Sequence, residues 1–332
     1  MVSTEAKRLI ARFSSSNGKP FVPGLDITAT LADIALVTLC GSDNVKNYID
    51  RSQFTSFLRL ARKLSPTFCF NNVLDIFRPI GHIVETLNNI FVSADEKLLR
   101  SITKLLFVEL QNHRATFNKD NIRDIIDAMI NAKEEAEIED NMNKTELLCD
   151  RNIVGAMADM FGAGITTTSS FIEWYLLYMI AYPDIQQKVH DELENVIGND
   201  RYPTLKDRES LPYLQATILE CLRLSSTVPL VIPHETIKNV KLNDYTIPSK
   251  TMIWINMWSV HHDEKLWPDP FTFRPERHLN SDGTVKSTSP NLMPFSCGAR
   301  VCVGETFAKS NMYIILSHLL LATDITHHVI IF

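Results

Sequence analysis

PFSCGARVCVGE, residues 294–305, holds two cysteines, Cys297 and Cys302, with Gly298 and Gly304 beside them and Arg300 between. The C-x4-C spacing suggests zinc, but a structural zinc site takes four ligands, usually as two close pairs. The other candidates, His261-His262 and His327-His328, are adjacent pairs whose side chains point in different directions on a strand. Zinc is a poor reading. A loop that brings one thiolate to a metal held in a flat macrocycle accounts for more of the segment. Glycines let the backbone turn and approach closely, and an arginine can pair with a carboxylate on such a group. A helix opening after Gly304 adds its dipole and free N–H groups near the Cys302 sulfur, which favours thiolate over thiol.

Working outward, ETFAKSNMYIILSHLLLA, residues 305–322, is apolar on most sides and reads as a core helix. The preceding stretch from Trp267 to Phe295 is rich in Pro, Ser, Asn and Asp and reads as a long irregular coil, a length usually functional in a compact domain. Between Val228 and Val260, β-branched residues punctuated by Asn, Asp and Pro predict short strands. Before residue 225 the pattern is mostly helical, as in TEAKRLIARF, IRDIIDAMINAKEEAE and PDIQQKVHDELENVIG. Pro183 marks a helix start and Gly198 its stop. Lys133–Glu146 lacks an apolar stripe and reads as a helix end followed by a solvated surface loop.

Composition excludes several classes of function. A formal charge of −6 over 332 residues, with no stripe of Lys and Arg, argues against a nucleic-acid partner. Six cysteines are too sparse for a disulfide scaffold, which favours a reducing compartment. Neither a signal peptide nor an uninterrupted apolar run of membrane-spanning length is visible.

The pattern F-x-x-G-x-R-x-C-x-G is complete from Phe295 to Gly304, and here the sequence resembles the cytochrome P450 family of haem-thiolate monooxygenases. Three further stretches carry the same resemblance. Glu220-Cys221-Leu222-Arg223 matches the family's E-x-x-R on a helical segment, and Arg277 in FRPER matches the arginine that locks that pair, with His278 where an aromatic is usual. The resemblance gives these three a structural role, bracing the coil that carries Cys302. MFGAGITTTSSFIEW, residues 160–174, resembles the helix crossing the distal face of the haem. There Ala163 and Gly164 leave room for oxygen and substrate, and Thr167 matches the oxygen-activating threonine. Thr166 stands where the family carries an acid, and a hydroxyl can relay a proton but has no carboxyl to supply one near neutral pH. Hydroxyls that merely bond back to the preceding turn are always an available reading for helical threonines, but the pair Gly162 and Gly164 and the downstream match weigh against it here. His234 in VIPHET matches a basic residue that bonds a haem propionate together with Arg300.

The resemblance implies a mainly α fold with small β-sheets (α+β), the cytochrome P450 fold, as one domain over residues 1–332. It implies haem b with Cys302 as axial ligand, and Arg300, His234, Phe295, Gly298 and Gly304 around it. It also implies electrons from NADPH–cytochrome P450 reductase, with cytochrome b5 a second candidate donor, and a small lipophilic substrate. In detail the chain is most similar to the steroid-hydroxylating members of the animal microsomal branch, which implies a steroid substrate and the cytosolic face of the endoplasmic reticulum membrane. The family's W-x-x-x-R is absent, since Trp174, Trp254, Trp258 and Trp267 are followed four residues on by Tyr178, Trp258, His262 and Phe271. The chain is therefore expected to start near the family's fourth helix and to stop before its closing hairpin, without the membrane anchor. The alternatives are a truncated fragment without turnover and a haem-binding protein that oxygenates nothing.

Overall fold

A computed structural model describes residues 1–41, 93–139, 142–198, 200–287 and 289–325. Cys69, His327 and His328 lie outside the described residues. The chain divides into two compact units, with the boundary inside one long helix at Ser169/Ser170.

The first unit is helical. Helices α1 (Val2–Ser14) and α2 (Gly24–Cys40) are followed by α3 (Ser93–Thr116), α4 (Ile125–Ile138), α5 (Met142–Leu147) and the start of α6 (Asp150–Ala181). Its core gathers Leu36 and Leu39 of α2, Leu106 and Leu110 of α3, Ile126 and Ile130 of α4, and Ile153, Met157, Phe161 and Ile165 of α6. The α6 residues among these fall at the three- and four-residue spacing that puts side chains on one helical face. Thr28 and Ser169 share a buried hydroxyl–hydroxyl bond of 2.8 Å, which ties α2 to α6. Asp124 caps α4 by accepting the Asp127 N–H at 3.0 Å, so the helix starts three residues after the apolar pattern does. The expected connection over Lys133–Glu146 is corrected in its second half. Helix α4 runs on to Ile138, and Met142–Leu147 coils into α5 instead of remaining a loop.

The second unit holds the end of α6, then α7 (Pro183–Ile197), α8 (Pro212–Ser225), α9 (Met257–His261) and α10 (Glu305–Ala322). Phe171, Tyr175 and Met179 of α6, Val189 and Leu193 of α7, Leu214 and Cys221 of α8, and Ile315 and Leu319 of α10 are buried in it. Pro183 occupies the first turn of α7 and Gly198 ends it with a φ of 72°. The first turn of α8 has no capping side chain of its own. Glu192 of α7 accepts the N–H groups of Tyr213 and Leu214 at 2.8 and 2.9 Å instead, so α7 satisfies donors that α8 leaves open. Helix α10 keeps the bounds read from its composition, and every residue from Asn311 to Leu320 is buried.

The strands are short. β1 (His234–Glu235) pairs antiparallel with β4 (Met252–Ile253), and β2 (Val240–Leu242) pairs antiparallel with β3 (Tyr245–Ile247). The strand-like pattern of MIWINMWSVHH ends early because the Asn256 side chain accepts the Ser259 N–H and caps α9. His261 closes that helix and His262 follows it, which corrects the sequence expectation of a strand at this pair. From Trp267 the chain is irregular apart from a 3-10 turn at Pro275–His278 and a bridge between Leu279 and Val285. Among the described residues no helix is long and apolar enough to cross a membrane.

Candidate functional site

The Cys302 loop is built from turns. The Ser296 N–H closes a turn onto the Met293 carbonyl at 2.9 Å, and the Cys302 N–H bonds the Phe295 carbonyl at 2.9 Å. Ser296 and Gly298 both take left-handed backbone, with φ of 64° and 73°, and a 3-10 turn covers Gly298–Arg300. Gly298 is the residue type this conformation calls for, whereas Ser296 adopts it at some cost. Helix α10 begins directly after Gly304. Its residue Lys309 lies 5.3 Å from the Phe295 ring centroid, so the first turns of α10 hold the loop's aromatic residue.

Cys302, Cys297 and Arg300 are all exposed. Among the described residues no ion pair engages Arg300. An exposed thiol at a helix start and an unpaired guanidinium two residues away are a donor set that suits an iron-bearing group with carboxylate substituents. Cys221, by contrast, is buried in α8, where burial pushes its thiol well above the ordinary range and keeps it inert. No disulfide joins the described cysteines.

Glu220 and Arg223 sit on one face of α8, and both are fully buried. Arg223 donates two bonds to the Glu220 carboxylate, 3.0 and 2.8 Å, and a third to the His261 carbonyl at 2.7 Å. Arg277 reaches the same carboxylate at 3.0 Å, the Arg274 N–H meets it at 3.0 Å, and His278 Nε2 meets it at 2.9 Å. Burial alone would raise the Glu220 carboxyl. The bonds from His278 and Arg223 outweigh it and hold the group at about 2. The irregular coil is thereby pinned to α8 by a carboxylate carrying five hydrogen bonds, one of them from His278.

Helix α6 carries Ala163, Gly164, Thr166 and Thr167. Ala163 and Thr167 are exposed, and Gly164 and Thr166 are half-buried. The Thr167 hydroxyl donates to the Ala163 carbonyl at 2.8 Å, and that of Thr166 to the Gly162 carbonyl at 3.4 Å. Both hydroxyls therefore spend their proton on the preceding turn and keep lone pairs free to accept. No Cβ at Gly162 or Gly164 would meet an atom within 4 Å. His234 is half-buried in β1, opposite Ile253.

Two polar groupings escaped the sequence reading. His261 is fully buried and bonds both Ser226 and Met293. Its sequence signal is the V-H-H-D stretch, residues 260–263, just before the coil. In the first unit, His113, Asp124 and Asp127 bring ligand atoms within 4.8 Å of one another. Arg123 holds both oxygens of Asp127, at 2.6 and 2.9 Å, and keeps its carboxyl below the ordinary range, so that grouping is already internally paired.

A family model described as Cytochrome P450 matches residues 1–326. Cytochrome P450 1A1 of Opsanus tau is 35% identical over 322 residues, covering 95% of this chain and 60% of the relative. Cytochrome P450 1A1 of Felis catus is 35% identical over 322 residues, with 96% and 60% covered. Steroid 17-alpha-hydroxylase/17,20 lyase of Ictalurus punctatus is 34% identical over 300 residues, with 89% and 56% covered. The chain thus spans about 60% of the length of the curated relatives it matches.

Proposed function

This chain belongs to the cytochrome P450 family, whose members bind haem b through a cysteine thiolate, and on that premise we propose that Cys302 is the axial ligand of a haem-dependent monooxygenase. The observation that carries the reading is the Phe295–Gly304 loop, which presents an exposed Cys302 at the start of α10 with Arg300 unpaired beside it. The overall reaction inserts one atom of O2 into an apolar organic substrate and releases the other as water, consuming two electrons and two protons. The electrons come from an NADPH-dependent reductase, with cytochrome b5 as a second donor.

Haem, when bound, supplies the iron at which dioxygen is activated, and a thiolate ligand favours O–O cleavage there. The chain's residues do the rest. Cys302 would hold the metal, the N-terminal end of α10 would stabilise its negative charge, and Arg300 and His234 would pair with the propionates. Phe295, Gly298 and Gly304 shape the loop. Ala163 and Gly164 leave space on α6, and Thr167 Oγ1, whose hydrogen is given to the Ala163 carbonyl, accepts a hydrogen bond as it stands and would pass a proton by turning its O–H away from that carbonyl and giving up that hydrogen as it takes another. Thr166 contributes a second hydroxyl in place of a carboxyl, which can relay a proton by exchanging its own hydrogen but cannot be the source of one.

A steroid is the substrate class we favour, because a steroid 17-alpha-hydroxylase/17,20 lyase is among the relatives. The cytochrome P450 1A1 relatives carry no steroid in their name, so a non-steroidal apolar substrate is the competing class. Residence at the endoplasmic reticulum membrane, facing the cytosol, goes with the same reading.

The test is to express the chain with haem, reduce it, add carbon monoxide and record the spectrum. A red-shifted Soret band lost in Cys302→Ala is expected, together with product from a steroid panel when reductase is added. A band that survives Cys302→Ala rejects the ligand assignment. A band without product from any apolar substrate supports haem binding without turnover.

A further inference from the structure

His261 lies 41 residues before Cys302 in the sequence, on a helix of its own, and its imidazole is 0% exposed. Three hydrogen bonds fix its protonation. The Met293 backbone N–H can only donate, and it points at Nε2 at 3.2 Å, so Nε2 must be an unprotonated acceptor. The Ser226 hydroxyl donates its hydrogen to the Arg223 carbonyl at 2.9 Å, which leaves Ser226 Oγ as an acceptor towards His261 Nδ1, also at 2.9 Å. Nδ1 therefore carries the hydrogen. The ring is neutral, in one tautomer, with each nitrogen in use and no other arrangement that satisfies all three partners.

What the ring connects gives it a role. On the Nδ1 side stands Ser226, the residue that ends α8 in left-handed backbone with a φ of 38°, next to the buried Glu220–Arg223 pair. The His261 carbonyl takes the third Arg223 bond, so main chain and side chain are held by the same helix. On the Nε2 side stands Met293, the residue whose carbonyl closes the turn onto Ser296. Phe295, inside that turn, provides the carbonyl that receives the Cys302 N–H. Two short links thus lead from His261 to Cys302. Among the described residues, no other hydrogen bond ties the stretch 289–302 to an earlier part of the chain.

We propose that His261 is a positioning residue for the haem ligand: its neutral imidazole clamps the Met293 amide to the end of α8 and so fixes where the Cys302 loop departs. The Glu220 network pins the coil at Arg274–His278, fifteen residues upstream of Met293, and leaves the entry to the loop to this one ring. The inference rests on the assignment of Cys302 as the ligand, but its first consequence, protection of the Met293–Cys302 backbone, does not.

Two variants divide the ring's functions. In His261→Gln, the Oε1 atom stands near the Nε2 position and can accept the Met293 N–H. In His261→Asn, the amide stands near Nδ1, can serve Ser226, and falls short of Met293. Hydrogen–deuterium exchange across Met293–Cys302 is expected to run roughly tenfold faster in the Asn variant, the scale of one lost buried hydrogen bond, and to stay near wild type in the Gln variant. In the haem-loaded full chain, the Asn variant is expected to shift the reduced carbon monoxide spectrum from the thiolate-type to the thiol-type band, and the Gln variant to keep the thiolate type.

Equal exchange in both variants overturns the proposal. If the variants fail to fold, nitrogen-15 NMR of the wild-type imidazoles decides: a protonated Nε2 on His261 overturns it, and the Nδ1–H tautomer supports it. Should the thiolate-type band survive Cys302→Ala, the ligand assignment falls, and the exchange ratio still decides for or against the clamp.

Discussion

Each unit buries a histidine in a polar cluster, and the two are held in opposite protonation states. His113, in α3, faces acceptors on both sides: the Glu109 carbonyl at Nδ1 and the Asp124 carboxylate at Nε2, each at 2.8 Å. Both nitrogens must donate, so the imidazolium is favoured. The hydrogen bond to Asp124 raises its pKa against the opposing effect of burial. His261 faces one donor and one acceptor, and burial, with Arg223 and His262 nearby, lowers it to about 4. The neighbours therefore set the charge, and similar depth permits either state. The same negative surroundings that suit His113 act against Cys40, where burial, helped by Glu109 and Asp124, pushes the thiol up to about 12.

The clusters also differ in how many partners depend on one atom group. Glu220→Ala removes the carboxylate that answers Arg223, Arg277, His278 and the Arg274 N–H, leaving buried cations facing one another. A loss of about 3–5 kcal/mol in unfolding free energy is expected from denaturant titration. A loss below about 1 kcal/mol would mean that water enters and replaces the carboxylate. Asp124→Ala takes one bond from His113 and the cap from α4, and the expected loss is about 2–3 kcal/mol, from a charged buried bond together with a helix cap. If the two variants cost the same, the number of partners is not what separates the regions.

The smallest expected effects are pH slopes of opposite sign. Because His261 is neutral in the native state, the unfolded chain takes up a proton first, and stability falls between about pH 6.5 and about pH 4. Below that range this group has no further effect, and the loss of the Glu220 carboxylate takes over between about 4.5 and about 2. The charged groups around His261 are Arg223 and Glu220 of α8, with His262 next to it in the chain. His113 behaves in reverse. Its contribution is complete below about pH 6.5 and is lost as pH rises through its raised value. Urea titrations at stepped pH should show His261→Gln flattening the acid side and His113→Gln flattening the neutral-to-alkaline side. Variants that flatten the same side would break the contrast.

Elements whose signals are local were readable from the chain. Helix α10 follows its composition residue for residue, α7 starts at Pro183 and stops before Gly198, and Glu220 and Arg223 fall three apart on one helical face. The resemblance carried by Phe295–Gly304 pointed to a family that the match over residues 1–326 then showed. The polar partners were less readable. Nothing in FRPERH says that the final histidine will bond Glu220, 58 residues earlier, because the bond depends on how the coil returns to α8. Glu192 capping the next helix and His261 meeting Met293 are equally silent in sequence.

By itself the sequence determined which segments coil, where glycine and proline interrupt them, and which loop carries the cysteine pattern of the family, because each depends on residues within a few positions of one another. The tertiary structure alone decided the protonation of His113 and His261, the five bonds on Glu220 and the anchoring of the Cys302 loop. Those depend on which donors and acceptors meet once water is excluded, and an unmet buried group costs enough to select one arrangement.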